Sequence, residues 1–223
     1  MNSTFLARME QILALYALPY DERYPVVCFD ERPCFLIGDH VAGLEMKAGA
    51  PKREHYSYQK NGSCALLMAI EPQTAKRVAR VFDRRTKQEY AQFMKELAAR
   101  YPEAEKIRVV QDNLNTHSTS SFYETFSAEG AFALSQRFEF YYTPKSASWL
   151  NMIEIEFSAL SKQCLNRRIA TKAELTQEVM ALVKEREEKS IKIDWQFSIE
   201  SARGKLNRHY RAVNAENAQY QKT

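Results

Sequence analysis

The chain has 223 residues, of which 45% are hydrophobic and 27% are charged, and its formal net charge is +4. The length fits one domain with an appendage, and the composition is that of a folded globular protein, which excludes a disordered or low-complexity chain. The mild positive charge permits a polyanionic partner without requiring one.

The N-terminal segment predicts an amphipathic helix over residues 2–17, in which Phe5, Met9 and Leu13 fall near one face. Arg8 and Glu10 interrupt its apolar character, so we do not expect a signal peptide. No stretch of the chain approaches the roughly 18 consecutive apolar residues of a membrane span. We therefore expect a cytoplasmic protein without a membrane partner.

Strand patterns dominate the next part of the chain. β-Branched and aromatic residues predict a strand over 26–29 that ends at Asp30, and a second strand over 34–38, after Pro33, that pairs with it as a hairpin. A further strand is expected over 63–72, and residues 76–84 are ambiguous between strand and helix, although the topology favours a strand. Residues 39–60 predict a polar loop with several basic side chains. These side chains are Lys47, Lys52, Arg53, His55 and Lys60.

Strands and helices alternate in the second half of the chain. We predict strands over 107–110 and 138–144, and helices over 86–100, 118–129, 149–166, 171–189 and 199–211. Thr86 with Glu89, and Thr171 with Glu174, match capping boxes. A loop is expected between Gly130 and Phe140. This alternation predicts an α/β fold with a mixed sheet.

The four cysteines show no CxxC spacing, which argues against a zinc site. They are Cys28, Cys34, Cys64 and Cys164. We expect buried thiols in a reducing compartment.

Three carboxylates stand where an α/β sheet places functional groups. Asp30 and Asp112 each follow a predicted strand, and Glu154 lies in the first turns of the helix after the fifth strand. Hard divalent cations such as Mg²⁺ bind carboxylate oxygens, and two such ions catalyse phosphoryl displacement. Acidic residues also commonly end strands or face solvent, so position alone leaves both readings open.

Three segments resemble the DDE catalytic domain of insertion-sequence transposases related to the mariner superfamily. They are VVCFDERP (26–33), VVQDNLNTH (109–117) and YYTPKSASWLNMIEIEFSALSKQCL (141–165). In the third segment Asn151 lies three residues before Glu154, as in that family. The resemblance implies an RNase H-like fold, with a mixed five-stranded sheet flanked by helices. It also implies that Asp30, Asp112 and Glu154 are the catalytic residues and hold two Mg²⁺ or Mn²⁺ ions.

Other residues are further candidates for metal ligands or DNA contacts. Glu156 is a rival of Glu154, but the two lie about 200° apart on a helix, so only one can face the site, and the Asn-x-x-Glu spacing favours Glu154. Met152, Ile155 and Ala159 are expected on the core flank of that helix. His117 either takes part in the site, through phosphate binding or proton transfer, or caps the following helix. Trp149 either stacks on a DNA base or is a buried anchor at the start of its helix. The candidate DNA contacts are Asn113, His117, Trp149, Lys162, Arg167 and Arg168. A second basic patch comprises Arg203, Lys205, Arg208, His209 and Arg211.

The chain departs from the family in two ways. No helix-turn-helix region precedes Phe5, so a separate polypeptide could supply recognition of transposon ends. The interval from Asp112 to Glu154 is also longer than in mariner relatives, and we assign the excess to the predicted loop after Gly130.

We therefore predict a transposase catalytic domain that cleaves DNA at transposon ends and transfers the strand into target DNA. The alternatives are a metal-dependent nuclease of the same fold without transposition, and a non-catalytic DNA-binding or assembly remnant. Double-stranded DNA and a second copy of the chain are the expected partners, and the protein is expected at the nucleoid. The predicted organisation is an N-terminal helix and linker (1–20), a catalytic domain (21–190) and a C-terminal helical extension (191–223).

Overall fold

A five-stranded mixed sheet forms the centre of the computed structural model, which describes residues 1–40, 48–49 and 56–219. The strands lie in the order β3-β2-β1-β4-β5. Their bounds are β1 Val26–Asp39, β2 Tyr58–Ile70, β3 Arg77–Phe82, β4 Ile107–Gln111 and β5 Phe138–Tyr142. β1, β2 and β3 pair antiparallel, whereas β4 is parallel to both β1 and β5. The predicted mixed five-stranded sheet is confirmed.

β1 corrects the predicted hairpin over residues 26–38. The segment is one continuous strand, in which Pro33 lies opposite Ala65 of β2. Since the recorded pairing of β1 with β4 ends at Cys28, the other edge of β1 is free at Pro33, and a strand with a free edge tolerates a residue that lacks an N–H. Asp30 therefore lies inside a strand and does not end one.

The helices flank this sheet and connect its strands. They are α1 Ser3–Tyr16, α2 Lys87–Arg100, α3 Ser120–Tyr123, α4 Ala128–Ser135, α5 Ile153–Gln163, α6 Lys172–Glu188, α7 Ile199–Lys205 and α8 Asn207–Val213. Short 3-10 helices cover Ser148–Leu150 and Ala215–Gln219. The capping box at Thr86 is present. At Thr171 only half of the predicted box forms, because the Glu174 carboxylate accepts from the backbone N–H of Ala170 instead.

Two predicted helices are each divided in the structure. Residues 118–129 form α3 and only the start of α4, because Ser127 caps α4 by accepting from the backbone N–H of Gly130 at 3.3 Å. Gly130 therefore lies inside a helix, and the predicted loop after it is wrong. The predicted helix over 199–211 is interrupted at Leu206, which separates α7 from α8.

The two faces of the sheet carry separate cores because side chains alternate along each strand. Val27 and Phe29 of β1 pack with α2, whereas Cys28 packs with α5 and α6 on the opposite face. All four cysteines are free thiols and are buried, as predicted.

A third cluster joins the two ends of the chain. Leu6 and Met9 of α1 pack with Ala202 and Tyr210, beside Ala147 and Leu150 of the segment before α5. Glu10 of α1 accepts hydrogen bonds from the Arg203 guanidinium at 2.8 and 2.9 Å and from the Tyr210 hydroxyl at 2.6 Å. The predicted segments 1–20 and 191–223 thus contact each other. Among the described residues, no helix combines the length and the apolar character needed to span a bilayer.

Replacement of Glu10 by Gln tests the link between the two ends. The hydrogen bond from Arg203 lowers the pKa of Glu10 below 4.5. A carboxyl whose pKa is lower in the folded state stabilises the fold above its unfolded-state pKa and loses that effect as the pH falls through its folded-state value. We expect Glu10→Gln to lower the urea midpoint near pH 7 and to have a smaller effect below about pH 4. Glu103→Gln, at an exposed turn position, is the control. A Glu10→Gln effect that is constant with pH would contradict this account.

Candidate active site

The parallel register of β1 and β4 brings Asp30 and Asp112 together. Cys28 lies opposite Val110, an offset of 82 residues (110 − 28), and the same offset separates Asp112 from Asp30 (112 − 30). Asp112 directly follows the end of β4. Continued by two residues past the recorded pairing, this register places Asp30 of β1 opposite Asp112, and neighbouring strands lie about 4.8 Å apart in a sheet.

Asn151 joins the start of α5 to the same point of β1. Its side-chain amide, which is buried, donates to the backbone carbonyl of Phe29 at 2.8 Å. Glu154 lies in the first turn of α5, and its side chain is exposed to solvent. The Asn-x-x-Glu spacing therefore has a structural reason, since Asn151 anchors the helix next to Asp30 and Glu154 follows within one turn.

The electrostatic environment of Asp30 reflects this proximity. Burial, together with the negative charges of Asp112 and Glu154, raises its pKa from 3.8 to about 7, against the hydrogen bond from the Glu31 backbone N–H. The side chains of Asp112 and Glu154 are therefore close enough to Asp30 to disfavour its ionised form. Carboxylates that repel one another in this way are relieved by a bound cation.

His117 lies behind Asp112, in the interior. Its Nδ1 lies 2.5 Å from a carboxylate oxygen of Asp112, and its Nε2 lies 3.7 Å from Glu31. The ring stacks on Tyr90, with centroids 4.9 Å apart, and meets Phe29 edge-on. Burial alone would lower the pKa of His117, but the two carboxylates outweigh it and raise the pKa from 6.5 to about 9. A positively charged His117 orients Asp112.

The residues present fit a hydrated divalent cation in their chemistry. Asp30, Asp112 and Glu154 offer only oxygen donors, and Mg²⁺ keeps several waters while it binds one or two carboxylates. Within the described part of the chain, no three acidic, histidine or cysteine side chains converge closely enough to hold one ion together. The arrangement is therefore a set of neighbouring carboxylates and not a preformed three-ligand cage.

Glu156 has a structural environment that separates it from Glu154. Its carboxylate is 1% exposed and pairs through both oxygens with Arg77 of β3 and Arg186 of α6, at 2.7 to 3.2 Å. Glu156 therefore points away from Asp30. Neither arginine was predicted as a partner of α5. The burial of Glu156 was predictable, because it shares one face of α5 with Ile153, Phe157 and Leu160.

One residue of α5 was predicted on the wrong face of the helix. Ile155 was expected in the core, but it is 47% exposed, and Ile153 takes that place. Because α5 begins at Ile153, its buried face is set by Ile153, Phe157 and Leu160, and Ile155 falls outside it.

The remaining predicted DNA contacts lie in different environments. His117 is buried, so it does not belong to a surface that DNA reaches in this conformation. Asn113 is exposed beside Asp112. Trp149 is 42% exposed and meets Phe197 edge-on.

The basic candidates near the end of α5 are separate from the carboxylates. Lys162 is exposed in its last turn. Arg167 pairs with Glu178 at 2.6 Å, and Arg168 pairs with Asp39 at 2.6 Å. Of the basic loop predicted over 39–60, residues 41–47 and 50–55 lie outside the described residues, among them Lys47, Lys52, Arg53 and His55. Lys60 lies on β2.

Two matched substitutions separate the roles of the neighbouring glutamates. Removing one partner of a buried ion pair costs about 3–5 kcal/mol, because the other charge is left uncompensated. We expect Glu156→Gln to lower the free energy of unfolding in urea by about that amount. Glu154→Gln relieves repulsion with Asp30, so it should leave the free energy of unfolding unchanged or slightly higher. Equal destabilisation by the two variants would contradict the assignment.

Comparisons with known proteins agree with this architecture. Residues 25–176 match the family model for the DDE superfamily endonuclease. Among functionally curated proteins, no sequence matches the chain. Solved structures of similar fold include the Mos1 mariner paired-end complexes with Mn and with Mg, each with a TM-score of 0.53 and 13% identity, covering 100% of this chain and 65% of theirs. The Mos1 strand transfer complex also has a TM-score of 0.53 and 13% identity, covering 97% of this chain and 61% of that one.

The chain thus spans less than two thirds of the length of these structures. Their likeness to the whole of this chain confirms the predicted RNase H-like fold. The family match covers more than half of the chain and includes Asp30, Asp112, Asn151 and Glu154. The motif resemblance to a DDE catalytic domain is therefore confirmed. The chain belongs to the DDE superfamily endonuclease family.

Proposed function

We propose that this chain is the catalytic domain of a DNA transposase, in which Asp30, Asp112 and Glu154 form the acidic triad. The activity is cleavage of a phosphodiester at a transposon end, followed by transfer of the freed 3′-hydroxyl into target DNA. Family membership supports a nuclease of the DDE type, and the Mos1 likeness supports the transposase assignment.

The common 82-residue offset is the observation that carries the proposal. It is the offset of the β1–β4 ladder and also the separation of Asp30 from Asp112. Two acidic residues that match a family motif therefore also occupy matching positions, Asp30 two residues beyond the last pair of the ladder in β1 and Asp112 two residues beyond it, just after β4. The anchor from Asn151 to Phe29 supports the addition of Glu154 at the same edge.

The three carboxylates would hold two Mg²⁺ or Mn²⁺ ions. When bound, such ions activate an attacking oxygen and stabilise a leaving one, so that no side-chain general base is required. Asp30 and Asp112 would supply ligands from the sheet, and Glu154 would supply one from α5. Asn151 would keep α5 in place, and His117 would fix the orientation of Asp112 through the contact at Nδ1.

Double-stranded DNA, as transposon ends and as target, is the proposed substrate, and a nucleoid-associated cytoplasmic location goes with it. A homodimer would hold two ends together, since the Mos1 structures with Mn and with Mg are paired-end complexes. A helix-turn-helix segment or a separate polypeptide would recognise the terminal repeats.

Nicking of supercoiled plasmid tests the proposal. The unaltered protein should convert supercoiled to open-circular DNA with Mg²⁺ or Mn²⁺ and not with EDTA. Asp30→Asn, Asp112→Asn and Glu154→Gln should each lower the rate by at least about 100-fold, because each removes a ligand and the catalytic ions carry most of the transition-state stabilisation.

Glu129→Gln is the matched control, since Glu129 is an exposed glutamate in the first turn of α4. Equal nicking by the unaltered protein and the three triad variants would overturn the triad. Cutting that shows no preference for transposon ends in the complete assembly would favour a nuclease without transposition. A protein that binds DNA and never cuts it would favour a non-catalytic remnant.

A further inference from the structure

A basic cleft opens beside Asp112. It has a volume of 440 Å³ and is lined by Arg8, Asp112, Asn113, Leu114 and residues 143–148. A second cleft of 570 Å³ shares Arg8, Pro144, Lys145 and Ser146 with the first. The two clefts therefore form one open groove that starts at Asp112 and runs along α1. Among the residues that the structure describes, Asp112 is the only acidic one in the lining of either cleft.

A rigid turn presents Lys145 to this groove. The backbone N–H of Ala147 donates to the carbonyl of Pro144 at 3.1 Å, which closes a four-residue turn. Ser146 has a φ of 63°, the left-handed conformation that a type II turn requires at its third position. Ala147 is buried under α1, and Thr143 pairs with Gln111 at the end of β4. The turn is thus fixed on both sides, with Lys145 exposed near its tip.

Arg8 approaches the same groove from α1. Its neighbour Met9 is fully buried in the cluster that also holds Ala147, so α1 and the turn share one core. Neither Arg8 nor Lys145 forms an ion pair within the part of the chain that the structure describes. This contrasts with Arg167, Arg168 and Lys172, each of which pairs with an acidic side chain.

We propose that Arg8 and Lys145 bind the phosphate backbone of the DNA strand that enters the active site at Asp112. The proposal rests on the proposed function, and it adds a binding site on α1 and on the turn after β5. Two uncompensated cations along a continuous groove match the repeating charge of a nucleic-acid backbone. Asn113 and the hydroxyls of Ser146 and Ser148 add polar groups of the kind that contact phosphate oxygens without reading sequence. The groove therefore positions the strand and does not select a base sequence.

Fluorescence anisotropy with a short fluorescein-labelled DNA duplex, in EDTA, measures this binding without cleavage. The test variant is Arg8→Gln/Lys145→Gln. The control is Lys184→Gln/Lys189→Gln, which removes the same charge from exposed, paired positions, Lys184 on α6 and Lys189 directly after it. Thermal unfolding by circular dichroism confirms that each variant is folded, and the single Lys145→Gln variant, at an exposed position, serves if Arg8→Gln alters the fold.

We expect the test variant to bind at least about tenfold more weakly near 0.1 M salt, and the control to bind as the unaltered protein does. Each lost phosphate contact makes the slope of log K against log salt less steep by about 0.9, so the double variant should change it by about 1.8. Plasmid nicking by the test variant should show a raised KM for DNA and a nearly unchanged kcat.

Unchanged DNA affinity and an unchanged salt slope in a folded test variant would contradict the proposal that this groove binds DNA. Intact plasmid nicking by that variant would then leave the proposed function standing. Binding that weakens as expected, in a protein that never cuts DNA, would support the groove and overturn the catalytic proposal. An unaltered protein that does not bind the duplex would overturn both. An equal loss in the control would show that net charge alone governs binding, which would also overturn the groove.

Discussion

The parallel pairing of β1 with β4 is the constraint on which the candidate active site depends. Only three residue pairs are recorded in this ladder, from Val26 opposite Arg108 to Cys28 opposite Val110. A slip by one residue would turn every side chain of one strand to the other face of the sheet, so the two cores hold the register in place. Val27 and Val109 pack on one face, and Cys28 and Val110 pack on the other. The separation of the two aspartates along the chain is therefore enforced by ordinary hydrophobic packing.

The rotation of α5 about its axis is the second constraint. Apolar side chains alone leave some freedom in how a helix lies on a sheet, whereas an ion pair with two bidentate arginines has one geometry. Glu156 fixes α5 to β3 and α6 in this way, and Asn151 fixes its first turn to β1. Glu154 is thus held at the start of α5 by two polar anchors that lie on either side of it in sequence.

The sequence predicted most elements of the fold because their signals are local. The helix after Thr86, the strand over 107–110 and the helix after Thr171 each carry a cap or a β-branched run, and each appears within a few residues of its predicted bounds. The failures have one distant cause and one local cause. Pro33 is tolerated because one edge of β1 is free there, which the neighbouring residues do not show. Gly130 is accepted within a helix because Ser127, three residues before it, supplies the cap, a local signal that the prediction did not use.

Some features of the candidate site could likewise be predicted from the sequence, whereas others depend on residues that are distant in sequence. The family motif identifies Asp30, Asp112 and Glu154, and the helical periodicity separates Glu154 from Glu156. The partners of Glu156, and the contacts of His117 with Tyr90 and Phe29, join residues far apart in sequence. The same holds for Arg8 and Lys145, which stand 137 positions apart (145 − 8) and meet only because α1 packs on the segment before α5.

The position of Asp30 within β1 holds its backbone more firmly than the backbones of Asp112 and Glu154 are held. Its backbone neighbours on both sides are paired with β2, Phe29 with Ala69 and Glu31 with Leu67, so the chain cannot shift there without breaking the ladder. Asp112 and Glu154 instead stand at the ends of their elements, where one side of the backbone is outside the ladder or the helix. Asp30 is therefore the fixed reference point of the site. In the proposed function, adjustment to ions of different radius, or to the changing positions of the reacting oxygens, would come from the other two carboxylates.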